Sequence, residues 1–177
     1  DCQKLHLADI DNDRDFDVIV GNGGFDINGG DLFSQNTVQR NNGNGTFVSP
    51  VFIDPPDRTL NLATADIDFD GDLDLFTANL GGISRLYLND STGGFLLVFN
   101  RLPRDYTGVY DAKFADLDLD GDQDMVLFIL ETNDVILIND GRGFFSERPG
   151  ALQDFNFQEH DHDVSVGDIN GDGFPDL

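Results

Sequence analysis

Tryptophan is absent from this sequence of 177 residues, and cysteine and methionine occur once each. A lone cysteine excludes an internal disulfide and leaves the redox compartment open. Basic residues are scarce, ten against 34 acidic ones, which sets the formal charge at −24. A surface so acidic is repelled by phosphate and has few cations with which to release counterions, so nucleic acid is excluded as a partner and cationic groups are favoured. No run approaches the roughly 18 apolar residues of a membrane-spanning helix, so no membrane insertion is expected. Asp1 and Cys2 do not open a signal peptide, and the sequence reads as a mature or excised segment. Glutamate is nearly missing as well: Glu131, Glu147 and Glu159 stand against 31 aspartates. A solvated acidic surface mixes the two types. Short carboxylates in such excess point to loops of fixed geometry, where aspartate serves turns and hard cations.

What is present suffices for a core, since 39% of the residues are apolar and 16 are Phe, which argues against disorder. The aspartates recur in four aligned clusters: DIDNDRDFDV from Asp9, DIDFDGDLDL from Asp66, DLDLDGDQDM from Asp116 and DINGDGFPDL from Asp168. A second motif keeps the same phase, as NNGNGTF from Asn41, NDSTGGF from Asn89 and NDGRGFF from Asn139. Between the motifs lie short runs rich in β-branched and aromatic residues, of strand length and without a helical period. Each repeat therefore reads as strand A, aspartate loop, strand B, a variable loop, strand C, an Asn/Gly turn and strand D. Four antiparallel strands in about 50 residues make one blade of an all-β propeller. The missing tryptophan disfavours WD-type and kelch-type blades. The repeats span approximately 3–57, 58–107, 108–159 and an incomplete 160–177. About three and a half blades leave strand edges open, so the sequence reads as part of a larger ring.

Eighteen of the 31 aspartates lie inside the four nine-residue loops. Fifteen of them fall at positions 1, 3, 5 and 9, with Asn170 replacing aspartate at position 3 of the last loop, and three at position 7. Converging carboxylates repel unless a divalent cation sits among them. Position 7 is Asp15, Asp72, Asp122 and then Phe174. A position that tolerates Phe coordinates through its backbone carbonyl. Position 6 is Gly71, Gly121 and Gly173 in three loops, as a turn with positive φ demands, while Arg14 departs from the pattern in the first. Position 2, Ile10, Ile67, Leu117 and Ile169, is the aliphatic anchor of each loop. All-oxygen ligation suits Ca²⁺. An EF-hand is the competing reading and requires Glu at position 12, where Val20, Thr77 and Leu127 stand instead.

The pattern D-x-[DN]-x-D-G-x-x-D between strands, with LYLND and a Gly-rich turn ending in Phe half a repeat later, resembles the FG-GAP/VCBS repeats of integrin α-subunit propellers and of many secreted bacterial proteins. The resemblance implies a seven-bladed ring with calcium in the loops joining strands A and B. Carried over by position, it implies ligands at Asp9, Asp11, Asp13, Asp15 and Asp17, and at Asp66, Asp68, Asp70, Asp72 and Asp74. The third and fourth sets are Asp116, Asp118, Asp120, Asp122 and Asp124, then Asp168, Asn170, Asp172, Phe174 and Asp176, with position 7 acting through its carbonyl in each. Four calcium ions, an extracellular, cell-surface or periplasmic location and a recognition or adhesion role toward a protein ligand follow as expectations. A glycan-binding propeller, or a noncatalytic module attached to a secreted enzyme, is the alternative. No catalytic constellation is visible, so the chain is expected not to be an enzyme.

Ligand recognition is expected on the face opposite the aspartate loops, where the first B–C loop, GNGGFDINGGDLFSQNTVQ from Gly21, is much the longest. Glu159, His160, His162 and Asp163, together with Tyr110 and Asp111, form a candidate polar pocket for a sugar or a metal, or else a solvated loop. His6 on strand A reads as structural.

Overall fold

The aliphatic and aromatic run after each of the first three aspartate loops forms a strand whose burial follows its neighbours. The computed structural model describes residues 2–25, 31, 32, 34–130, 132–152 and 165–176. Blade 1 comprises β1 (Cys2–Ala8), β2 (Asp17–Asn22), β5 (Ser34–Gln39) and β6 (Val51–Asp57), paired in that order. A short hairpin of β3 (Gly24–Phe25) and β4 (Asp31–Leu32) stands in its long B–C loop. Blade 2 is β7 (Thr59–Ala65), β8 (Asp74–Asn79), β9 (Arg85–Asn89) and β10 (Phe95–Val98). Blade 3 is β11 (Val109–Ala115), β12 (Asp124–Ile129), β13 (Val135–Asn139) and β14 (Phe145–Glu147). All pairings within the blades are antiparallel. The chain is thus all-β, built of four-stranded propeller blades. No helix among the described residues is long and apolar enough to cross a membrane.

Blades stack face to face, which explains why β8 is buried along its whole length whereas β2 alternates. β8 has a blade on each side. Blades 1 and 2 close over Ile10, Ile19, Leu62, Leu75 and Tyr87, while blades 2 and 3 close over Ile67, Phe76, Met125, Leu127 and Leu137. Each such side chain contributes about 1.5–3 kcal/mol by leaving water. Leu62 is 3% exposed, but Leu5, its equivalent on the face of blade 1 turned away from blade 2, is 55% exposed. Strand A carries a register irregularity at the same place in all three blades, between Cys2 and Lys4, Thr59 and Asn61, and Val109 and Asp111.

Because successive strands alternate in direction, the A–B aspartate loops and the C–D Asn/Gly turns share one end of every blade. The B–C and D–A connections share the other. Of the fourth repeat, the described part is the aspartate loop, closed by an isolated bridge between Gly167 and Asp176.

Candidate metal centres

One backbone path serves all four loops. Position 6 takes a left-handed conformation whether it is Gly71 (φ 92°), Gly121 (100°), Gly173 (88°) or Arg14 (77°). Position 4 does the same at Asn12 (60°), Phe69 (59°), Leu119 (63°) and Gly171 (79°). Sequence reasoning missed this second turn. Asn12 and Gly171 tolerate it, but Phe69 and Leu119 pay about 1–2 kcal/mol each and so conceal the pattern.

The double turn wraps backbone amides around the carboxylates. The position-6 N–H donates to the position-1 carboxylate in every loop, at 3.0 Å for Asp9, 3.1 Å for Asp66, 3.0 Å for Asp116 and 2.9 Å for Asp168. The position-7 N–H donates to position 5 in the same way, at 2.9–3.1 Å. These bonds aim the remaining oxygens at one another. Oxygens of Asp9, Asp11 and Asp13 lie within 4.8 Å of one another, as do those of Asp66, Asp68 and Asp70 and those of Asp116, Asp118 and Asp124. Within these groups, Oδ1 of Asp11, Asp66, Asp68 and Asp116 is buried and has no hydrogen-bond partner. A buried carboxylate oxygen without a donor is costly, and an oxygen-seeking divalent cation is the partner this donor set fits. Burial, then the charges of Asp17 and Asp13, raises the carboxyl of Asp11; burial and then Asp70 raise that of Asp68. The fourth loop is different. Asp168 accepts N–H bonds from Gly171, Asp172 and Gly173, and these, Gly173 foremost, hold its carboxyl below the usual range.

Position 9 does more than the sequence suggested. Asp17, Asp74 and Asp124 are fully buried. In each, one oxygen accepts the position-2 N–H of its own loop, from Ile10, Ile67 and Leu117, and the other accepts the N–H of the turn asparagine, Asn41, Asn89 and Asn139. One carboxylate thus ties the A–B loop to the C–D turn. Burial pushes the Asp74 carboxyl up to about 7 against the pull of those two amides. The asparagines extend the tie between blades: Asn89 Nδ2 donates to Ile10 O and Asn139 Nδ2 to Ile67 O, both at 2.8 Å. Gly93 and Gly143 lie directly over those isoleucines, and a Cβ on either would come within 3.1 Å of the Ile side chain. Ile10 and Ile67 are accordingly buried, Leu117 is half-buried and Ile169 is exposed.

At position 7 the Asp72 carboxylate is engaged outside its cluster, by Asn12 Nδ2 at 2.7 Å and by the Ser91 hydroxyl. The Phe174 ring is exposed.

On the opposite face, the β3–β4 hairpin occupies the loop singled out for its length. A cavity of about 730 Å³ opens between the B–C and D–A connections of blade 3, lined among others by Arg104, Asn133, Asp134, Glu147 and Arg148. Arg104 Nε and Tyr106 Oη donate to Glu147 at 2.5 and 2.7 Å, holding its carboxyl low, and the Arg104 guanidinium stacks 4.5 Å from the Tyr106 ring. Asp111 is buried; it accepts the Ala112 N–H and pairs with Lys113 at 3.1 Å. Glu159, His160, His162 and Asp163 lie outside the described residues. His6 bonds Thr64 at 2.9 Å across the first two blades, and burial lowers its pKa.

Among solved structures, the chain is similar to a lectin from Agrocybe aegerita that specifically recognises non-reducing terminal N-acetylglucosamine. The two are 20% identical with a TM-score of 0.57, and the match covers 97% of this chain but only 58% of that one. At that identity the likeness concerns the fold. No curated protein matches the chain. The FG-GAP-like repeat matches three times, over residues 9–77, 70–127 and 116–177. With four loops of one geometry and interlocked turns between blades, the chain belongs to the family of FG-GAP-like repeats.

Proposed function

We propose that this chain is a calcium-loaded propeller scaffold that works outside the cytoplasm and recognises a protein ligand through the face opposite its aspartate loops. The observation that carries the calcium is the set of buried, unpartnered oxygens on Asp11, Asp66, Asp68 and Asp116. Side chains at positions 1, 3, 5 and 9 would hold the ion, with the carbonyl at position 7. Its contribution there is to neutralise the carboxylates and fix the loop that position 9 and the turn asparagine already tie down. No catalytic step is assigned to it. Sites of this ligand type in extracellular modules bind with Kd of about 10⁻⁴ to 10⁻³ M, which cytosolic calcium would leave empty, and this supports an extracellular, cell-surface or periplasmic setting. The β3–β4 hairpin on the first B–C loop supports recognition at the opposite face, since binding residues concentrate on loops held by a rigid scaffold.

A second reading, glycan recognition, is favoured by the lectin neighbour and by the polar cavity around Arg104, Glu147 and Asp134. A glycan array with the calcium-loaded protein separates the two.

Calcium itself is tested by melting the protein with and without excess chelator, metal removal being verified by elemental analysis. Each site at 100-fold saturation adds about 2.7 kcal/mol to the folded state, so the chelated protein melts well below the loaded one. Identical melting curves would overturn the reading.

A further inference from the structure

The fourth loop is the one aspartate loop with an Asn-Gly pair, Asn170–Gly171, at positions 3 and 4. Asparagine before glycine is open to attack by the following backbone nitrogen on its side-chain amide, because glycine offers no side chain to obstruct the approach. The surroundings favour that attack. Residues 168–174 are exposed. Asp172 N donates to Asn170 Oδ1 at 2.9 Å, polarising the side-chain carbonyl, and Gly171 N donates to Asp168 Oδ1 at 2.6 Å, so a carboxylate is in place to take the attacking nitrogen's proton. Donor and base stand within the distances at which such groups assist a reaction at a carbonyl.

Other Asn-Gly pairs among the described residues are held differently. Asn22 lies at the end of β2 with its amide donating to Gln35 O at 2.9 Å, and the chain at Gly23 presses on the Arg58 backbone. Asn42 Nδ2 donates to the Thr46 hydroxyl, and Asn44 Oδ1 accepts the Thr46 N–H as Asn170 Oδ1 accepts that of Asp172, but among the described residues no carboxylate accepts the N–H of Gly43 or Gly45 as Asp168 accepts that of Gly171.

We propose that Asn170–Gly171 is a deamidation site whose aspartate product gives the fourth loop the position-3 carboxylate that the other three carry. Gly171 N loses its proton and bonds to Asn170 Cγ; the bond from Cγ to the amide nitrogen breaks, and ammonia leaves with that proton. Solvent water then opens the cyclic imide. Opening at the side-chain carbonyl breaks its bond to the Gly171 nitrogen and leaves aspartate; opening at the main-chain carbonyl leaves the chain joined through Cγ as an isoaspartyl linkage, with no change of oxidation state in either case. Aspartate adds a charged ligand, which strengthens cation binding. Isoaspartate lengthens the backbone between positions 3 and 4 and removes the site. The modification stands on the geometry of the loop; its consequence for the ion rests on the calcium reading.

The test holds the full chain at mildly alkaline pH in chelator, in calcium and in urea, then follows the peptide containing residue 170 by mass spectrometry with separation of the two products. Conversion at Asn170 in the folded, chelated protein, ahead of Asn22, is the result expected. With calcium at 100-fold over Kd, only about 1% of the loops are open, and conversion slows about 100-fold. An Asn170 still amidated in folded protein once the urea sample has converted overturns the proposal. Equal rates with and without calcium uphold the modification and overturn the calcium reading of this loop. Calcium titration of Asn170→Asp completes the test: binding at the fourth loop no tighter than in the parent removes the consequence drawn for the ion.

Discussion

Asp122 is almost wholly buried, its Oδ1 has no hydrogen-bond partner, and burial, then Asp120 and Asp124, pushes its carboxyl up to about 6. Phe174 at the same position shows that the side chain is dispensable to the loop, so the charge is a cost without a role in ligation. The folded pKa exceeds the unfolded value of about 3.9. The folded state therefore holds the extra proton, and stability falls as pH rises from about 4 through 6. Asp122→Asn removes that loss. In the chelated protein it should stabilise by on the order of 1 kcal/mol at pH 7.5 and by almost nothing near pH 4. Urea unfolding at the two pH values measures this, and an equal effect at both would refute the assignment. At this scale the sequence displayed the ligand-type residues and the position-6 turn, because aspartate and glycine advertise their chemistry. It hid the position-4 turn, because Phe69 and Leu119 occupy a conformation that their residue types disfavour.

The turn asparagine shows how far an element's role extends beyond its motif. NDGRGFF was legible as a turn, but its two ties were not. Asn139 N reaches Asp124, 15 residues earlier, and Asn139 Nδ2 reaches Ile67, 72 residues earlier in another blade. No local pattern encodes such pairings. Asn139 Oδ1 also accepts the Gly143 N–H at 3.0 Å, so every polar atom of the side chain is spent on backbone. Asn139→Ala leaves the buried carbonyl of Ile67 and the partly buried carbonyl of Gln123 without that donor. Each lost partner costs about 1–3 kcal/mol, so the variant should lose about 2–4 kcal/mol. Asn133→Ala, at an exposed position, should stay within about 0.5 kcal/mol. Denaturant midpoints at unchanged slope check both, and equal losses would mean that the interblade tie carries no weight. Blade strands were easier to read, since β-branched runs of strand length announce themselves and their order follows from short connections. The β3–β4 hairpin was not, because its strands are two residues each and lie within a Gly-rich loop.

For the whole molecule the governing quantity is the charge of −24, concentrated at one end of the blades. Four divalent ions, two charges each, would bring it to −16. Without them, like charges oppose the folded state over distances comparable to the Debye length, about 8 Å at physiological ionic strength. Raising inert salt from about 0.01 M to about 1 M shortens that length from about 30 Å to about 3 Å and removes most of the repulsion between exposed charges. The chelated protein should therefore gain several degrees in melting temperature across this range. The calcium-loaded protein should gain much less, because its loops are already neutralised at contact distance. Choline chloride is the appropriate salt, since its bulky cation cannot enter a carboxylate loop and substitute for calcium. Differential scanning calorimetry of both states along the salt series gives the comparison. An equal salt response in the two states would show that the loop carboxylates are not the source of the repulsion, and that the ion's stabilising effect, if any, comes from the contacts it makes rather than the charge it cancels.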